Sequence, residues 1–481
     1  MFFELINNTL HSPWLYYILI GIYSLTLVMI LGVVISENRN PVKSLAWVTV
    51  LIVVPVVGIV LYFFFGQNFK NKRMITRRNR KKLKRMEHRR PVDIHKLDFR
   101  ETTRQQIRLA RSLVGAYYYE GNDIEIFTSG REKFDRLFED IEKARQSICI
   151  QYYIFEDDNI GTKLSDLLIK KAKEGVKIRL IYDHVGSLHV KSKFFSRMRK
   201  AGIEAYPFFR VNFPLLAYRI NWRNHRKLVI IDGETGYVGG MNVADRYIDG
   251  GKFESWRDTH LRITGPGVIS LIYSFAVDWN FMGQPLDEII RMEPKKKTGN
   301  MGVQFITSGP TNQWGNIELM FHKAISSATE RVYIQTPYFL PTEGLLKALV
   351  TAALANVDVR IMIPYETDSD ILRYASFSYI AECLRAGMKF YLYRAGMLHS
   401  KVIIIDNELT SVGSTNFDFR SFEHNFEGNI FVYSRDFNRK STEMFLADQQ
   451  KSTRILASEW KKRPRMKRWA ESTLRLLSPV L

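Results

Sequence analysis

Residues 225–242 read HRKLVIIDGETGYVGGMN, and residues 399–416 read HSKVIIIDNELTSVGSTN. Both stretches fit H-x-K-x4-D-x6-G-[GS]-x-N, with the same spacing at every named position. Each copy has a β-branched apolar run, then turn residues, then a return toward the asparagine, which is a pattern typical of a β-hairpin. The repeat indicates that one half of the chain has been built twice.

The histidine and the lysine of each copy stand two residues apart, so a strand projects them from the same face. These pairs are His225 with Lys227, and His399 with Lys401. Two imidazoles with ammonium groups between them suit an anion that is attacked on one side and released on the other. A phosphodiester fits this description, because a neutral histidine can attack phosphorus while a protonated one gives its proton to the leaving alkoxide.

The remaining motif residues are assigned to phosphate binding, to catalysis or to the fold. The lysines, with Asn242 and Asn416, are predicted to hold the non-bridging phosphate oxygens and to stabilise charge in the transition state. Asp232 and Asp406 are grouped with the catalytic residues as members of the motif. Each lies an odd number of residues from its lysine, however, so it points differently and can serve the fold instead.

The duplicated motif resembles the HKD signature of the phospholipase D superfamily. The surrounding sequence segments resemble those of bacterial cardiolipin synthases; they are RNHRKLVIIDGETGYVGGMN, TPYFLPTE and RSFEHNFEGN. The resemblance runs from the N-terminal apolar segments to the C-terminus. It implies an α/β fold with two duplicated phospholipase D-like lobes, each with a mixed β-sheet flanked by helices, related by a pseudo-twofold axis with the active site between them.

The resemblance also implies an activity and further site residues. The activity is reversible phosphatidyl transfer between two phosphatidylglycerol molecules, giving cardiolipin and glycerol through a phosphohistidine. An acidic residue beyond each asparagine would orient a histidine; Glu427 matches in the second half, and Asp258, with Glu254 as a rival, in the first. Ser414 would bond a phosphate oxygen. By analogy with similar two-motif enzymes, His225 is expected to be the nucleophile and His399 the general acid.

Motifs for other chemistries are missing from the sequence. There is no G-x4-G-K-[ST], no H-E-x-x-H and no cysteine cluster, so no nucleotide or zinc site is predicted. Exchange of one phosphodiester for another is nearly thermoneutral, and no cofactor is expected. Cys149 and Cys383 are the only cysteines, and their apolar surroundings favour buried thiols over a disulfide.

Charge and hydropathy point to a membrane. The net charge of +21 indicates an anionic partner. Residues 14–35 and 44–66 contain no charged residue, and each is long enough to cross a ~30 Å hydrocarbon layer as a helix. The first lacks the flanks of a signal peptide. Pro55 can kink the second, for which a re-entrant hairpin stays open.

The distribution of lysine and arginine predicts the orientation. Residues 1–13 have none, whereas residues 70–90 have twelve, so the catalytic lobes are expected on the cytoplasmic side of the cell membrane, in a multi-pass protein. The basic run directly after a predicted span favours contact with anionic head groups. Anionic phospholipids, namely phosphatidylglycerol and cardiolipin, are the expected partners, and no nucleic acid is expected.

Helical and strand-like patterns alternate over residues 131–183 and again over residues 317–364, which predicts βαβ units. The predicted organisation is a membrane hairpin at 1–69, a basic juxtamembrane linker at 70–97, a first lobe at 98–290, a linker at 291–300, a second lobe at 301–450 and a basic amphipathic tail at 451–481. The tail is expected either to lie in the membrane interface or to pack on the second lobe.

Two rival functions remain at this point. A phospholipase D-type hydrolase would pass the phosphatidyl group to water. A membrane-anchored nuclease or a nucleic-acid binder would use the basic segments on phosphate backbones, with affinity that falls steeply as salt rises.

Overall fold

A computed structural model of the protein describes residues 13–36, 41–62, 74–86, 92–210, 222–286, 289 and 296–478. Parts of several predicted features lie outside the described residues. These are residues 63–66 of the second uncharged segment, residues 70–73 and 87–91 of the basic linker, and residues 291–295 between the lobes.

The N-terminal helices form a compact unit of their own. They are α1 (Pro13–Ser36), α2 (Pro41–Val53) and α3 (Pro55–Leu61). Pro55 has no N–H to continue a helix and therefore begins α3 after a break at Val54. Trp47 packs edge-on against Tyr62, with ring centroids 5.4 Å apart. Among the described residues, no helix has the length and apolarity that a membrane crossing requires.

The second unit contains the two motif copies. Its helices are α4 (Arg77–Met86), α5 (Glu101–Val114), α6 (Gly130–Lys143), α7 (Asn159–Lys173), α8 (Ser192–Lys200), α9 (Arg246–Asp249), α10 (Val268–Phe281), α11 (Asn316–Ser326), α12 (Glu343–Leu354), α13 (Asp370–Arg385), α14 (Phe419–Glu423), α15 (Arg435–Gln450), α16 (Ala457–Lys461) and α17 (Arg465–Arg475).

Its strands in the first half are β1 (Tyr119–Phe127), β2 (Ser147–Tyr152), β3 (Lys177–Asp183), β4 (Glu204–Phe208), β5 (Leu228–Ile231), β6 (Thr235–Gly239), β7 (Trp256–Arg257) and β8 (His260–Thr264). Those in the second half are β9 (Met301–Ser308), β10 (Arg331–Gln335), β11 (Phe339–Leu340), β12 (Asp358–Pro364), β13 (Lys389–Tyr393), β14 (Met397–Leu398), β15 (Val402–Ile405), β16 (Leu409–Gly413), β17 (Phe417–Asp418), β18 (Glu427–Tyr433) and β19 (Ser452–Arg454).

Fifteen of these strands form one sheet with a mirrored order. From its centre, one half runs β1-β8-β6-β5-β2-β3-β4, and the other runs β9-β18-β16-β15-β10-β12-β13, with β19 added at the edge. Strands β1 and β9 pair antiparallel, with Tyr119 opposite Val303 and Asn122 opposite Met301. The duplication predicted from the motif is confirmed, but the halves share a continuous sheet instead of having separate ones. Pairing β1 with β9 removes an exposed edge from each half.

The predicted βαβ units are confirmed in both halves. Strands β2, β3 and β4 are parallel, as are β10, β12 and β13, and a helix connects each successive pair. Each helix turns an apolar face to the sheet, so that Leu164 of α7 and Leu349 of α12 are fully buried. The motif itself forms the antiparallel hairpins β5–β6 and β15–β16, as the alternation predicted.

The aspartate of the first motif builds the fold. Asp232 has a positive φ of 52° directly after β5. Its carboxylate accepts hydrogen bonds from the backbone N–H groups of Arg145, Gln146 and Ser147, each at 2.8 Å. These groups begin the neighbouring strand β2, so Asp232 fixes the start of that strand against the hairpin.

The aspartate of the second motif does the same task. Asp406 has a φ of 48° and accepts hydrogen bonds from the backbone N–H groups of Thr329, Glu330 and Arg331, at 3.1, 2.8 and 3.0 Å. Arg100 adds an ion pair at 2.7 Å. Both aspartates lie seven residues after their histidines, roughly 20 Å along an extended chain. The grouping of Asp232 and Asp406 with the catalytic residues is therefore wrong, and their role is to anchor the strands.

The basic C-terminal stretch packs on the second half. Strand β19 pairs with β13, which extends the second lobe beyond residue 450. Helix α17 lies against α13, where Arg475 pairs with Glu382 at 3.1 Å and stacks its guanidinium on Tyr379. Of the two alternatives for the tail, the structure has the packed helix.

Candidate active site

Two short parallel strand pairs join the halves and bring the motifs together. Strand β7 pairs with β14, so that Leu398 lies opposite Arg257. On the other side, an isolated parallel bridge places Asn224 opposite Phe426. In each case, the residue after the bridge in one half is a motif histidine, and the residue after it in the other half is a carboxylate. The backbone pairing therefore sets these four side chains in register.

Each histidine is hydrogen-bonded to a carboxylate of the opposite half. Nδ1 of His225 lies 2.9 Å from Oε1 of Glu427, and Nδ1 of His399 lies 2.6 Å from Oδ2 of Asp258. All four side chains are buried. Sequence reasoning named both carboxylates as candidates but did not predict that the pairs would cross between the halves. The rival Glu254 is not the partner of His399.

The motif lysines lie beside the histidines, as the strand alternation predicted. Nζ of Lys227 donates to the carbonyl oxygen of His225 at 2.6 Å. Lys401 donates to the carbonyl oxygen of His399, and its Nζ lies 2.8 Å from Nδ1 of that histidine. Both ammonium groups are buried, so the site concentrates positive charge.

Burial governs the ionisation of this cluster. It lowers the pKa of His225 to about 4, with Glu427 opposing the change and Lys227 adding to it. Burial and the nearby Lys401 also lower the pKa of His399, while Asp258 and Asp368 raise it.

The lysines respond to the same burial. It lowers the pKa of Lys227 well below its usual value and that of Lys401 to about 8. Burial therefore destabilises the charged forms of both lysines, and an anion that enters the site would offset this destabilisation.

The polar residues that end the motifs occupy different positions. Asn242 accepts a hydrogen bond from the backbone of Ile154 at 3.1 Å and donates one to Tyr247 at 2.6 Å. Oδ1 of Asn416 has no hydrogen-bond partner among the described residues. The hydroxyl of Ser414 donates to Glu427, and the predicted bond from Ser414 to a substrate phosphate stays a prediction. Its oxygen also accepts from the backbone N–H of Gly428 at 3.0 Å.

A cavity of about 590 Å³ opens onto both histidines. Of the residues proposed from the motifs, His225, His399, Asn242 and Asn416 line it. Sequence reasoning missed most of the remaining wall, which includes Tyr153, Arg246, Lys252, Phe253, Trp256 and Asp368. Tyr338, which the sequence left between core and lipid contact, also lines the cavity and donates a hydrogen bond to Asp368.

Aromatic rings hold the two imidazoles from the side. Tyr153 lies edge-on to His225 with ring centroids 5.1 Å apart, and Trp256 lies 5.4 Å from His399. Trp256 stands two residues before Asp258, which is the one sequence signal that would have placed it near the site. The cavity thus combines apolar rings with cations and two imidazoles, a composition suited to an amphiphilic anion.

Comparisons with known proteins agree on one family. A family model described as "Cardiolipin synthase, PLD-like domain" matches residues 137–270 and 321–449, and one described as "Phospholipase_D-nuclease N-terminal" matches residues 24–67. The chain is 41% identical over 471 residues to the major cardiolipin synthase ClsA of Bacillus subtilis, covering 95% of this chain and 98% of that protein. It is also 41% identical over 456 residues to cardiolipin synthase 2 of Bacillus anthracis, covering 93% and 89%.

A solved structure shares the fold at low identity. Phosphatidylserine synthase of Haemophilus influenzae matches with a TM-score of 0.60 and 14% identity, covering 78% of this chain and all of that one.

The crossed pairing can be tested by double-mutant cycles on unfolding. One cycle combines His225→Gln with Glu427→Gln, and the other combines His399→Gln with Asp258→Asn. We expect each crossed pair to show a coupling free energy of about 0.5–3 kcal/mol, because the members share a buried hydrogen bond. Denaturant unfolding of the detergent-solubilised protein measures it. The uncrossed combinations, His225 with Asp258 and His399 with Glu427, serve as controls, and equal coupling in them would contradict the geometry.

Proposed function

Because the chain belongs to the phospholipase D-like cardiolipin synthases, and so is a phosphatidyltransferase, we propose that it joins two phosphatidylglycerol molecules. One would donate its phosphatidyl group to an active-site histidine with loss of glycerol, and the second would accept that group to give cardiolipin. The observation that carries the proposal is the pair of crossed histidine–carboxylate contacts on one cavity. It supplies a nucleophile and an acid to the same phosphorus.

The proposed reaction has two symmetric steps. Each histidine uses Nδ1 for its carboxylate, so Nε2 is the nitrogen left for substrate. In the first step, Nε2 of His225 bonds to phosphorus, the bond from phosphorus to the glycerol oxygen breaks, and that oxygen takes a proton from His399. In the second, the hydroxyl of the acceptor lipid gives its proton to His399 and bonds to phosphorus, and the bond to His225 breaks.

Unequal electrostatic surroundings support this assignment of roles. Besides its burial, His225 has one carboxylate that raises its pKa and two ammonium groups, Lys227 and Lys401, that lower it. Besides its burial, His399 has one ammonium group, Lys401, that lowers its pKa and two carboxylates, Asp258 and Asp368, that raise it. His225 is thus the more readily neutral imidazole, as a nucleophile must be, and His399 the more readily protonated one, as an acid must be.

The phosphate is proposed to sit among the motif cations and amides. Lys227 and Lys401 would balance the charge that builds on the non-bridging oxygens, with Asn242 and Asn416 as hydrogen-bond donors. Phe253, Trp256 and other rings of the cavity would take the glycerol and ester regions of the lipids. Covering the phosphohistidine with these rings would favour a lipid hydroxyl over water as acceptor.

We also propose that the protein is anchored in the membrane by residues 14–35 and 44–66, with the catalytic lobes on the cytoplasmic side. The absence of charge in these segments and the twelve basic residues of 70–90 support this placement. The family match over residues 24–67 covers most of both segments. A substrate that stays in the bilayer would then reach the cavity without leaving the surface.

The proposed reaction predicts the products in vesicles. Purified protein reconstituted with phosphatidylglycerol should form cardiolipin and free glycerol in equal amounts without nucleotide or added divalent metal, since one phosphodiester replaces another. Thin-layer chromatography of labelled lipid and an enzymatic glycerol assay measure both. Cardiolipin that forms only with CDP-diacylglycerol would contradict the proposal. Phosphatidic acid as the main product would indicate a hydrolase, and cleavage of single-stranded DNA would indicate a nuclease.

The assignment of the nucleophile predicts which variant traps an intermediate. His225→Ala should carry no covalent phosphatidyl label, because the attacking nitrogen is gone. His399→Ala should still be labelled by a donor with a p-nitrophenyl leaving group, which departs without a proton. The label is counted on protein after a quench in base, where phosphohistidine survives. Label on His225→Ala with none on His399→Ala would reverse the two roles.

The pH profile tests the same roles without removing either histidine. Asp258 raises the pKa of His399, so Asp258→Asn should lower it and move the alkaline limb of kcat/KM to lower pH. Glu427 raises the pKa of His225, so Glu427→Gln should move the acidic limb to lower pH and leave the alkaline limb in place. Rates in mixed micelles measure both limbs. The opposite pattern would exchange the acid and the nucleophile.

A further inference from the structure

A second cavity of about 560 Å³ shares none of its lining residues with the catalytic cavity. Its floor is formed by Arg226 and Phe426, the direct neighbours in sequence of His225 and Glu427. Arg226 is fixed there by Asp278 at 2.5 Å and by the carbonyl oxygens of Glu427 at 3.0 Å and Ser308 at 3.3 Å. The cavity is therefore separate from the catalytic one but shares a wall with it.

Helix α4 forms the mouth of this cavity. Asn79 donates a hydrogen bond to Asn280 of α10 at 2.9 Å, and Leu83, one turn later, is fully buried. These two contacts dock one face of α4 on the lobes. Arg77 and Arg80 consequently line the cavity while remaining exposed to solvent. Neither guanidinium has an ion pair with a carboxylate in the described part of the chain.

The walls of the cavity differ in character. Its lining includes polar residues, Thr307, Thr311 and Asn312, and apolar residues such as Val114 and Val277. Among the described residues that line it, none is acidic. The buried hydroxyl of Ser274 lies in the wall without a hydrogen-bond partner among the described residues. The site thus offers cations, hydrogen-bond donors and an apolar surface to one occupant.

From this arrangement we propose that the cavity binds the phosphodiester headgroup of an anionic membrane phospholipid, at a site distinct from the catalytic cavity. The charge fits a phosphodiester, and the apolar wall fits the adjoining glycerol and upper acyl chains, which a free phosphate lacks. Residue 77 follows the second uncharged segment by about ten positions and belongs to the basic run for which contact with anionic head groups was predicted. The inference rests on the membrane placement proposed above.

Such a lipid would touch the scaffold of the active site. Phe426 donates its backbone N–H to the carbonyl oxygen of Arg223 and accepts from the N–H of His225, at 2.8 and 2.9 Å. Arg226 bonds the backbone of Glu427. A headgroup against Arg226 and Phe426 therefore bears on the strand bridge that pairs His225 with Glu427. This gives the enzyme a means to sense how much anionic lipid surrounds it.

The test uses the full chain in phosphatidylcholine vesicles that contain a phosphonate analogue of phosphatidylglycerol with a diazirine beside the phosphorus. After irradiation, peptide mapping by mass spectrometry locates the label. We expect label in two places, at the catalytic cavity and at peptides containing Met74–Arg80 or Thr311–Gln313. Arg77→Gln with Arg80→Gln should reduce the second label on the order of tenfold and leave the first.

A matched control comes from the same helix. Arg78 and Lys81 are exposed but do not line the cavity, and replacing both with glutamine removes the same charge. In this variant, the amount of label at the cavity, divided by the amount of protein bound to vesicles, should be unchanged. If both double variants lost the label at this cavity equally, the effect would be a general attraction of basic residues to the membrane, and the proposed site would be overturned. Label found only at the catalytic cavity would also overturn it. Displacement by inorganic phosphate would assign the cavity to a free anion and overturn the lipid. The labelling needs no turnover, so a missing label at the second cavity can be told apart from a failure of the proposed phosphatidyl transfer.

Discussion

The two hydrogen bonds that cross between the lobes are the constraint on which the rest of the structure depends. His225 takes its carboxylate from the second lobe, and His399 takes its carboxylate from the first. Neither lobe therefore contains a complete histidine–carboxylate pair, and the duplicated halves cannot work apart. The continuous sheet through β1 and β9 and the short strand pairs beside each histidine hold the halves in that register.

The crossed pairs also explain how so many ionisable groups stay buried together. Two lysines and two histidines share the site with Glu427, Asp258 and the nearby Asp368, and burial of any one of these as an isolated charge would cost several kcal/mol. The carboxylates offset part of the cost, and the lowered pKa values of Lys227 and Lys401 show what remains. A phosphodiester brings the missing negative charge. Binding energy is thus available where charge develops on the transferred phosphoryl group.

The sequence predicted interactions between residues close in the chain but not those between residues far apart in it. The strict spacing of the two motifs predicted the hairpins and the His–Lys faces, because side chains alternate along a strand over a few residues. The crossed pairing of histidines and carboxylates could not be predicted, because the bridge between Asn224 and Phe426 joins positions 202 residues apart and no local pattern marks it. Asp232 and Asp406 were misassigned because motif membership says nothing about which end of a strand a residue caps. The cavity rings, such as Tyr153, come from connections outside the motif.

The two copies are alike in their motifs, yet at one position the carboxylates of the crossed pairs are supported differently. Burial raises the pKa of the Glu427 carboxyl, but His225 and Lys227 hold it below its usual value, and Ser414 of the second copy adds to this by donating a hydrogen bond. The matching residue of the first copy is Gly240, and a Cβ there would lie 2.1 Å from Oδ1 of Asp258. The carboxylate of Asp258 therefore excludes a serine at that position and accepts its additional hydrogen bond from the backbone N–H of Thr259, at 2.7 Å. One position of the repeat thus decides whether a side chain or the backbone donates a further hydrogen bond to the carboxylate that orients each histidine.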